Sequence, residues 1–406
     1  MDKASGVNIQ FVPVVVGGNR GAYSLARAFY EAYGVKTHII SPMIIGPIEN
    51  SRILKNHIQP DIGLPEKFFD TIAKIERNFP GMKKIIIGAD DRYAEMLVRL
   101  QDRFSEEWIV PYVNEEVFGR ATNKESFYAA CEKAGVPYPK TLVITEFQEN
   151  LPFAFPIVMK PANSPAYQGL HFAGKEKVYF VNSVEEYRGT YRLMRDGGYS
   201  EPIVLQEYIP GDDRSLAVVT AYTSPEDGEV KLIVFGQILL EDHTPTGVGN
   251  HLAILARPED SITEDVRKLI AETGFTGFSN FDLKYDKRTG RYVFFELNGR
   301  LGVSNYYVTA AGHNPATYYV DDLIRKVDLP PVVNKREALF NVVPKRLLLK
   351  QIKSEPLRKK VKALYQEDKA TNPLNAEFET NVKRRAVVWA STINYYRKFK
   401  LHPPKE

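Results

Sequence analysis

The pattern of the chain changes near residue 120, and that change limits the folds open to it more than any other feature. Before it, short apolar runs rich in β-branched residues alternate with helical spacing. Phe11-Val12-Pro13-Val14-Val15-Val16 reads as a strand, Gly17-Gly18-Asn19-Arg20-Gly21 as a turn, and residues 23–30 as a helix. A second strand reads at 36–40. A third, at 84–87, runs into the turn Gly88-Ala89-Asp90-Asp91 and a helix at 93–98. Alternating strands and helices predict a parallel sheet covered on both faces, with ligands at the carboxyl ends of its strands. The glycines at 17, 18 and 21 either offer N–H groups to an anion at a helix N-terminus or serve the tight turn alone. A dinucleotide fingerprint is not matched, because the G-x-G-x-x-G spacing is missing.

After residue 120 the texture is different. A helix opens at Asn123-Lys124-Glu125 and ends near Gly135, and Val136-Pro137-Tyr138-Pro139 turns the chain into an extended run at 140–144. Short strands then read at 155–160, 178–181, 203–209, 216–222, 231–236, 277–286 and 292–298, with helices near 184–195 and 261–273. This predicts antiparallel sheets in an α+β arrangement. Beyond 335 the pattern is helical, as in Leu347-Leu348-Leu349 and residues 357–364. No repeat or low-complexity tract is visible.

Composition narrows the class. The chain has 406 residues, enough for two to four units at roughly 100–200 residues each. Its 12% aromatic content is too much burial potential for a disordered protein. The single cysteine, Cys131, rules out an intramolecular disulfide and a multi-cysteine zinc site. No run approaches the ~18 apolar residues of a membrane span. The first six residues lack the basic-then-apolar order of a secretory signal, so a cytoplasmic location is expected. Residues 335–406 carry 18 Lys and Arg against 7 Asp and Glu, a balance of +11. The rest of the chain therefore sums to −7 under a net charge of +4. A basic segment on an acidic body points either to an anionic partner or to a solvated helical surface.

Several residues carry chemistry. Residues 277–286 and 292–298 flank the turn Lys287-Arg288-Thr289-Gly290-Arg291 and read as a hairpin. Glu296 and Asn298, two apart, share a face that Asp282 can join. Two carboxylates and an amide oxygen form a hard ligand set suited to Mg²⁺, which keeps waters and takes further ligands from phosphates. Arg300 can meet developing negative charge as a bidentate donor. Ordinary salt bridges on a solvated hairpin are the competing reading. Lys160, at the end of Ile157-Val158-Met159-Lys160-Pro161, can extend an ammonium toward phosphate ahead of a loop at 162–169 that includes Asn163 and Ser164. A strand also runs from Leu205 through Gln206, Glu207, Tyr208 and Ile209 into Pro210-Gly211-Asp212-Asp213. Its backbone can bond an adenine edge, and Asp213 can take ribose hydroxyls.

Taken in order, these are a helix-start lysine (Lys124), a strand lysine before a loop (Lys160), Glu-Tyr-Ile-x-Gly at 207–211, Asp282, and Glu-x-Asn-x-Arg at 296–300. Over residues 1–325 this order resembles the ATP-grasp superfamily of carboxylate–amine ligases. Further stretches are similar to the bacterial D-aspartate ligase family, which builds the side-chain bridge of peptidoglycan precursors. They are Tyr138-Pro139-Lys140-Thr141-Leu142, Lys160-Pro161-Ala162-Asn163-Ser164, Ile209-Pro210-Gly211-Asp212-Asp213, Leu239-Leu240-Glu241-Asp242-His243-Thr244-Pro245 and Phe281-Asp282-Leu283-Lys284-Tyr285-Asp286.

The resemblance implies a mixed α/β and α+β molecule with an ATP-grasp fold. A Rossmann-like pre-ATP-grasp domain would span 1–119, a first lobe 120–207, a second lobe with the metal site 208–334, and a basic helical region 335–406. It implies ATP and Mg²⁺, with Lys124 and Lys160 on phosphates, Gln206, Glu207 and Ile209 at the adenine, and Asp213 at the ribose. Asp282, Glu296 and Asn298 would hold metal, and Arg300 with the Gly302 N–H would steady the acyl phosphate and tetrahedral intermediate. The implied partners are an amino-acid donor, D-aspartate, and a nucleotide-linked stem-peptide acceptor. No nucleic acid is expected, and oligomeric state is left open. Two departures stand out. The loop after Lys160 lacks the several glycines many members place there. Arg214 and His243 have no assigned counterpart and either select the amino acid or are plain surface. An ATP-grasp ligase for another amino acid or dipeptide and a non-catalytic nucleotide-binding regulator are the alternatives. No G-x-S-x-G elbow is present, which favours positioning and charge compensation over a covalent nucleophile.

Overall fold

The computed structural model describes residues 10–163, 166, 167, 169–245, 247 and 249–404. Residues 1–6, read above for a leader, and Ser164 lie outside the described residues.

The first sheet is parallel throughout, in the order β3-β2-β1-β4-β5. Its strands are β1 (Phe11–Val16), β2 (Thr37–Ser41), β3 (Leu54–Ile58), β4 (Lys83–Gly88) and β5 (Trp108–Ile109). Helices α1 (Arg20–Tyr33), α2 (Pro65–Asn78) and α3 (Asp91–Leu100) cover it. Every residue of β1 is buried, as a strand covered on both faces must be. Chain order reverses between β1 and β4, so a crevice opens beyond their carboxyl ends. Two glycines shape it. Gly17 has φ +111°, and a Cβ on Gly21 would sit 3.0 Å from the Val303 Cα of the following unit. Asn19 caps α1, its Oδ1 accepting from the Ala22 N–H at 3.0 Å.

Two helices, α4 (Glu115–Thr122) and α5 (Lys124–Ala134), lead into a four-stranded antiparallel sheet. Its order is β6 (Thr141–Ile144), β9 (Ile203–Glu207), β7 (Ile157–Pro161), β8 (Tyr179–Val181). Helix α6 (Val184–Asp196) backs it, and Ile157, Met159, Leu205, Tyr187 and Met194 form a core separate from the rest.

The third sheet has eight strands. They are β10 (Leu216–Thr223), β11 (Val230–Glu241), β12 (His251–Ala256), β13 (Gly277–Asp286), β14 (Arg291–Asn298), β15 (Val332–Val333), β16 (Ala338–Asn341) and β17 (Ala370–Thr371). The main path is β14-β13-β10-β11-β12-β16-β17, with β15 beside β11. Helix α7 (Thr263–Thr273) packs with α5 on one face, around Phe127, Cys131, Val266, Phe281 and Phe294. The other face joins the first sheet in one core, from Val15, Phe29 and Ile39 through Leu252, Ile254 and Tyr307. Helices α8 (Tyr306–Ala310), α9 (Pro315–Leu323), α10 (Lys345–Gln351), α11 (Glu355–Gln366) and α12 (Val382–Leu401) complete the chain. Among the described residues no helix is long and apolar enough to cross a membrane.

The segment after 335 is helical as expected, but it also supplies β16 and β17 to the large sheet. Strands of four and two residues are too short to show a period. Strand β12 also escaped the sequence reading. His251-Leu252-Ala253-Ile254-Leu255-Ala256 is buried almost throughout, so it shows no alternation.

Candidate active site

The β13–β14 hairpin brings the three oxygen ligands together. Asp282 stands opposite Glu296 and Asn280 opposite Asn298. The register then slips by one, leaving Phe295 as an extra residue on β14. Its carbonyl oxygen accepts from the Tyr128 hydroxyl of α5 at 2.9 Å. Asn298 Nδ2 donates to Asp282 Oδ2 at 3.2 Å, which leaves its Oδ1 toward Arg300. Removal from water first, and then the facing Glu296 carboxylate, push the Asp282 carboxyl well above the usual range. The same removal from water works against Glu296, but Lys124, a hydrogen bond from Asp282 and the Lys160 charge outweigh it and hold Glu296 at about 2. The two facing carboxylates and the Asn298 amide are the oxygen donors this hairpin offers, and Lys124 pairs with one of the carboxylates. Among the described residues no third His, Cys, Asp or Glu joins them. A cation bound here would need the Asn298 amide, water and ligand oxygens to complete its shell, a pattern that suits Mg²⁺.

Two lysines face this group. Lys124 is the first residue of α5, where a positive charge is disfavoured by the helix dipole. Its Nζ lies 3.1 Å from Glu296 Oε2, and that partner offsets the placement. Lys160 reaches in from β7 and donates to Gln206 Oε1 at 3.0 Å. Gln206 Nε2 donates in turn to the Tyr128 hydroxyl at 2.7 Å and to Thr141 Oγ1 at 2.9 Å. A continuous chain, Lys160–Gln206–Tyr128–Phe295, thus ties the small sheet to the bulge of the hairpin. Desolvation and then the Lys124 charge bring the Lys160 ammonium down to about 8.

Lys160, Gln206, Glu207, Ile209 and Asp282 all line one cavity of about 270 Å³ between the four-stranded and eight-stranded sheets. Val158, Phe180, Leu216 and Leu283 give it apolar walls sized for a flat ring. The Glu207 carboxylate is held at the rim by Arg288 Nη2, 2.8 Å away. Asp213 does not line the cavity. Its Oδ2 accepts from the Glu241 N–H and meets His243 Nε2, both at 2.9 Å. Glu241, His251 and Lys284, which sequence reading did not single out for the site, do line it. Burial and then Asp213 raise the Glu241 carboxyl. The signal available was position: Glu241 ends a long strand, and Lys284 lies two residues from Asp282. Arg214 pairs with Asp212 and reaches the Gln351 carbonyl at 3.4 Å, and neither Arg214 nor His243 lines the cavity.

Arg300 connects the hairpin to the first sheet. Its Nη2 lies 2.7 Å from Asp91 Oδ2, at the start of α3 beyond β4, and its Nε is buried without a partner. Gly302 follows, where a Cβ would approach Asn280 Oδ1 to 3.3 Å. Its carbonyl accepts from the Asn305 N–H at 3.0 Å. The crevice beyond β1 and β4 therefore opens toward Arg300 and residues 302–305. Cys131 lies apart in a core, and burial pushes its thiol up to about 12, far from a nucleophile's range.

No protein-family model matches the chain. Over 408 aligned residues it is 32% identical to the D-aspartate ligase of Enterococcus faecium (strain Aus0004), covering 97% of each chain. In fold it is similar to the L-amino acid ligase from Bacillus licheniformis, with TM-score 0.55 and 14% identity, covering 77% of this chain and 74% of that one. It is also similar to the N5-carboxyaminoimidazole synthetase from Staphylococcus aureus complexed with ADP, with TM-score 0.56 and 12% identity, covering 82% and 84%.

Proposed function

The chain belongs to the D-aspartate ligase family and is an ATP-dependent ligase of the ATP-grasp fold that joins a carboxylate to an amine. From that premise we propose that it couples the β-carboxyl of D-aspartate to the lysine side chain of a nucleotide-linked peptidoglycan stem peptide. The observation that supports this reading is that Lys160 and Asp282 line one cavity between two sheets, with Glu296 and Asn298 beside Asp282 on the hairpin and Lys124 paired to Glu296.

In this reading the adenine lies between the apolar walls, along the backbone at Gln206 to Ile209. Glu241 is the carboxylate that the cavity offers to the ribose, in the place expected for Asp213. Lys160 and Lys124 meet the phosphates, which would free Glu296 from its lysine partner to hold a metal. Asp282, Glu296 and Asn298 would hold magnesium, which would supply positive charge to the phosphoryl group in transfer. The donor carboxylate attacks the γ-phosphorus and ADP leaves. The acceptor amine, as its free base, then attacks the acyl carbon, phosphate leaves, and the proton that nitrogen sheds passes to that phosphate or to water. Arg300 and the Gly302 N–H border the developing oxyanion. Catalysis is by placement and charge, with no covalent enzyme intermediate.

The test is ADP release from the purified protein with ATP, acceptor and single D- or L-amino acids in turn. D-aspartate alone should support turnover. A different amino acid in that role replaces the donor assignment but not the ligase chemistry. Glu296→Ala should remove turnover by a factor of about 10² or more with the fold retained, and ADP release that survives it overturns the metal assignment.

A further inference from the structure

The last helix has two apolar faces, and only one of them is used. Arg384, Val388, Tyr395 and Phe399 of α12 recur at helical spacing and turn inward, with Phe399 in the core shared by the two large sheets. Val382, Ala386, Trp389, Ile393 and Tyr396 recur at i, i+4, i+7, i+11 and i+14 on the opposite side, all exposed. Trp389 is 67% exposed and Val382 78%, too open to be packing against the chain itself. The inward side of the helix is held by a loop of the first unit. Arg384 donates to the carbonyls of Pro47 and Glu49 at 2.9 and 3.0 Å, and Gly46 lies against Val387. That contact brings alongside the loop on which Met43 and Ile44 are exposed.

Charge says what this face meets. Residues 381–404 contain no Asp or Glu. Lys383, Arg385, Arg397 and Lys400 are all exposed along the stripe. A second copy of the chain docking on this face by a two-fold axis would set these cations against their own images. An apolar stripe with Trp and Tyr, bordered by Lys and Arg, is instead the composition of a helix that lies in the surface of an anionic bilayer. We propose that the exposed face of α12 docks the protein on anionic membrane lipid. This goes beyond the ligase reaction and does not rest on its substrates.

The test is co-flotation of the full chain with vesicles of about three parts phosphatidylcholine to one part phosphatidylglycerol, beside phosphatidylcholine alone. The expected result is binding to the anionic vesicles only, weakened by salt. Tryptophan emission should shift to the blue, because Trp389 is exposed while the other tryptophan, Trp108, is already buried. Joint replacement of Lys383, Arg385, Arg397 and Lys400 by Gln should lower binding by roughly tenfold or more. Trp389→Ser should lower it as well and abolish the shift. Both variants should keep their circular dichroism and their turnover on soluble substrates, since the replaced side chains face solvent. Equal binding to both vesicles, or anionic binding that both variants retain, overturns the proposal. So does a lipid-free dimer that Trp389→Ser dissociates, which assigns the face to a second copy. Retention on heparin without vesicle binding also overturns it, in favour of an acidic macromolecule.

Discussion

At the scale of single residues, Lys160 shows how the fold trades stability for a binding charge. Its ammonium is held in a desolvated cleft beside Lys124, and its pKa falls to about 8. A lysine whose folded pKa lies below its unfolded value destabilises the fold while it is charged. That cost is full below pH 8 and fades as pH rises through 8 toward the ordinary lysine range. Triphosphate reverses the balance, because a nearby anion favours the ammonium. ATP binding near pH 8–9 should therefore take up a proton, seen by calorimetry as a heat that depends on the buffer's ionisation enthalpy. Lys160→Met should raise the melting temperature of the free protein by about 1–3 °C, weaken ATP binding and abolish the proton uptake per ATP bound at saturating ATP. A proton uptake unchanged in that variant assigns it to another group. That Asp282, Glu296 and Asn298 share a face was legible because a strand places every second residue on one side, while Lys160 was marked by its place at a strand end before a loop. Tyr128 was not legible. In the sequence it follows Phe127 in a helix and reads as core. Only the tertiary fold shows its hydroxyl between Gln206 and the bulge carbonyl.

At the scale of elements, the last helix depends on one buried pair. Arg384 and Glu379 are 1% and 2% exposed, and Arg384 lies over the Tyr23 ring of α1 at 4.2 Å. Glu379 also accepts from the hydroxyls of Tyr23, at 3.0 Å, and Ser51, and from the Arg52 N–H at 3.2 Å. Removing one member of such a pair leaves the other buried without its partner. Arg384→Ala should therefore cost about 3–5 kcal/mol in urea unfolding. The exposed neighbour Lys383→Ala should stay within about 0.5 kcal/mol. Similar losses for both would mean that α12 is held by helix propensity and not by the pair. The run Lys383-Arg384-Arg385 gives no sign of this difference, since all three look like surface. Strands β12, β16 and β17 were hidden for the opposite reasons: one is too uniformly buried to alternate, the other two are too short. The hairpin was legible from its alternation and turn, and β1, β2 and β4 from their apolar β-branched runs, but β3, β5 and α2 were not.

At the scale of the whole molecule, the charge asymmetry and the core make different demands on the region after 335. Val361, Leu364 and Phe399 sit in the core that unites the first and third sheets, and β16 covers the edge of β12. Deletion of residues 335–406 should therefore abolish cooperative thermal unfolding by circular dichroism, whatever the region binds. A sharp transition in that fragment would make the region an appendage. The surface of the same region is separable from its core. On α11, Lys359 and Lys362 are exposed and Lys360 pairs with Glu337, while Val361 and Leu364 point inward. A field from a +11 segment attracts a phosphate-bearing acceptor over a distance, and salt weakens it. Joint replacement of Lys359, Lys360 and Lys362 by Gln should raise KM for the nucleotide-linked acceptor several-fold and flatten its salt dependence. KM for ATP, whose phosphates are proposed to meet Lys124 and Lys160 instead, should stay unchanged, and so should the melting temperature. Equal rises in both KM values, or none, would show these lysines to be solvated surface on a structural helix.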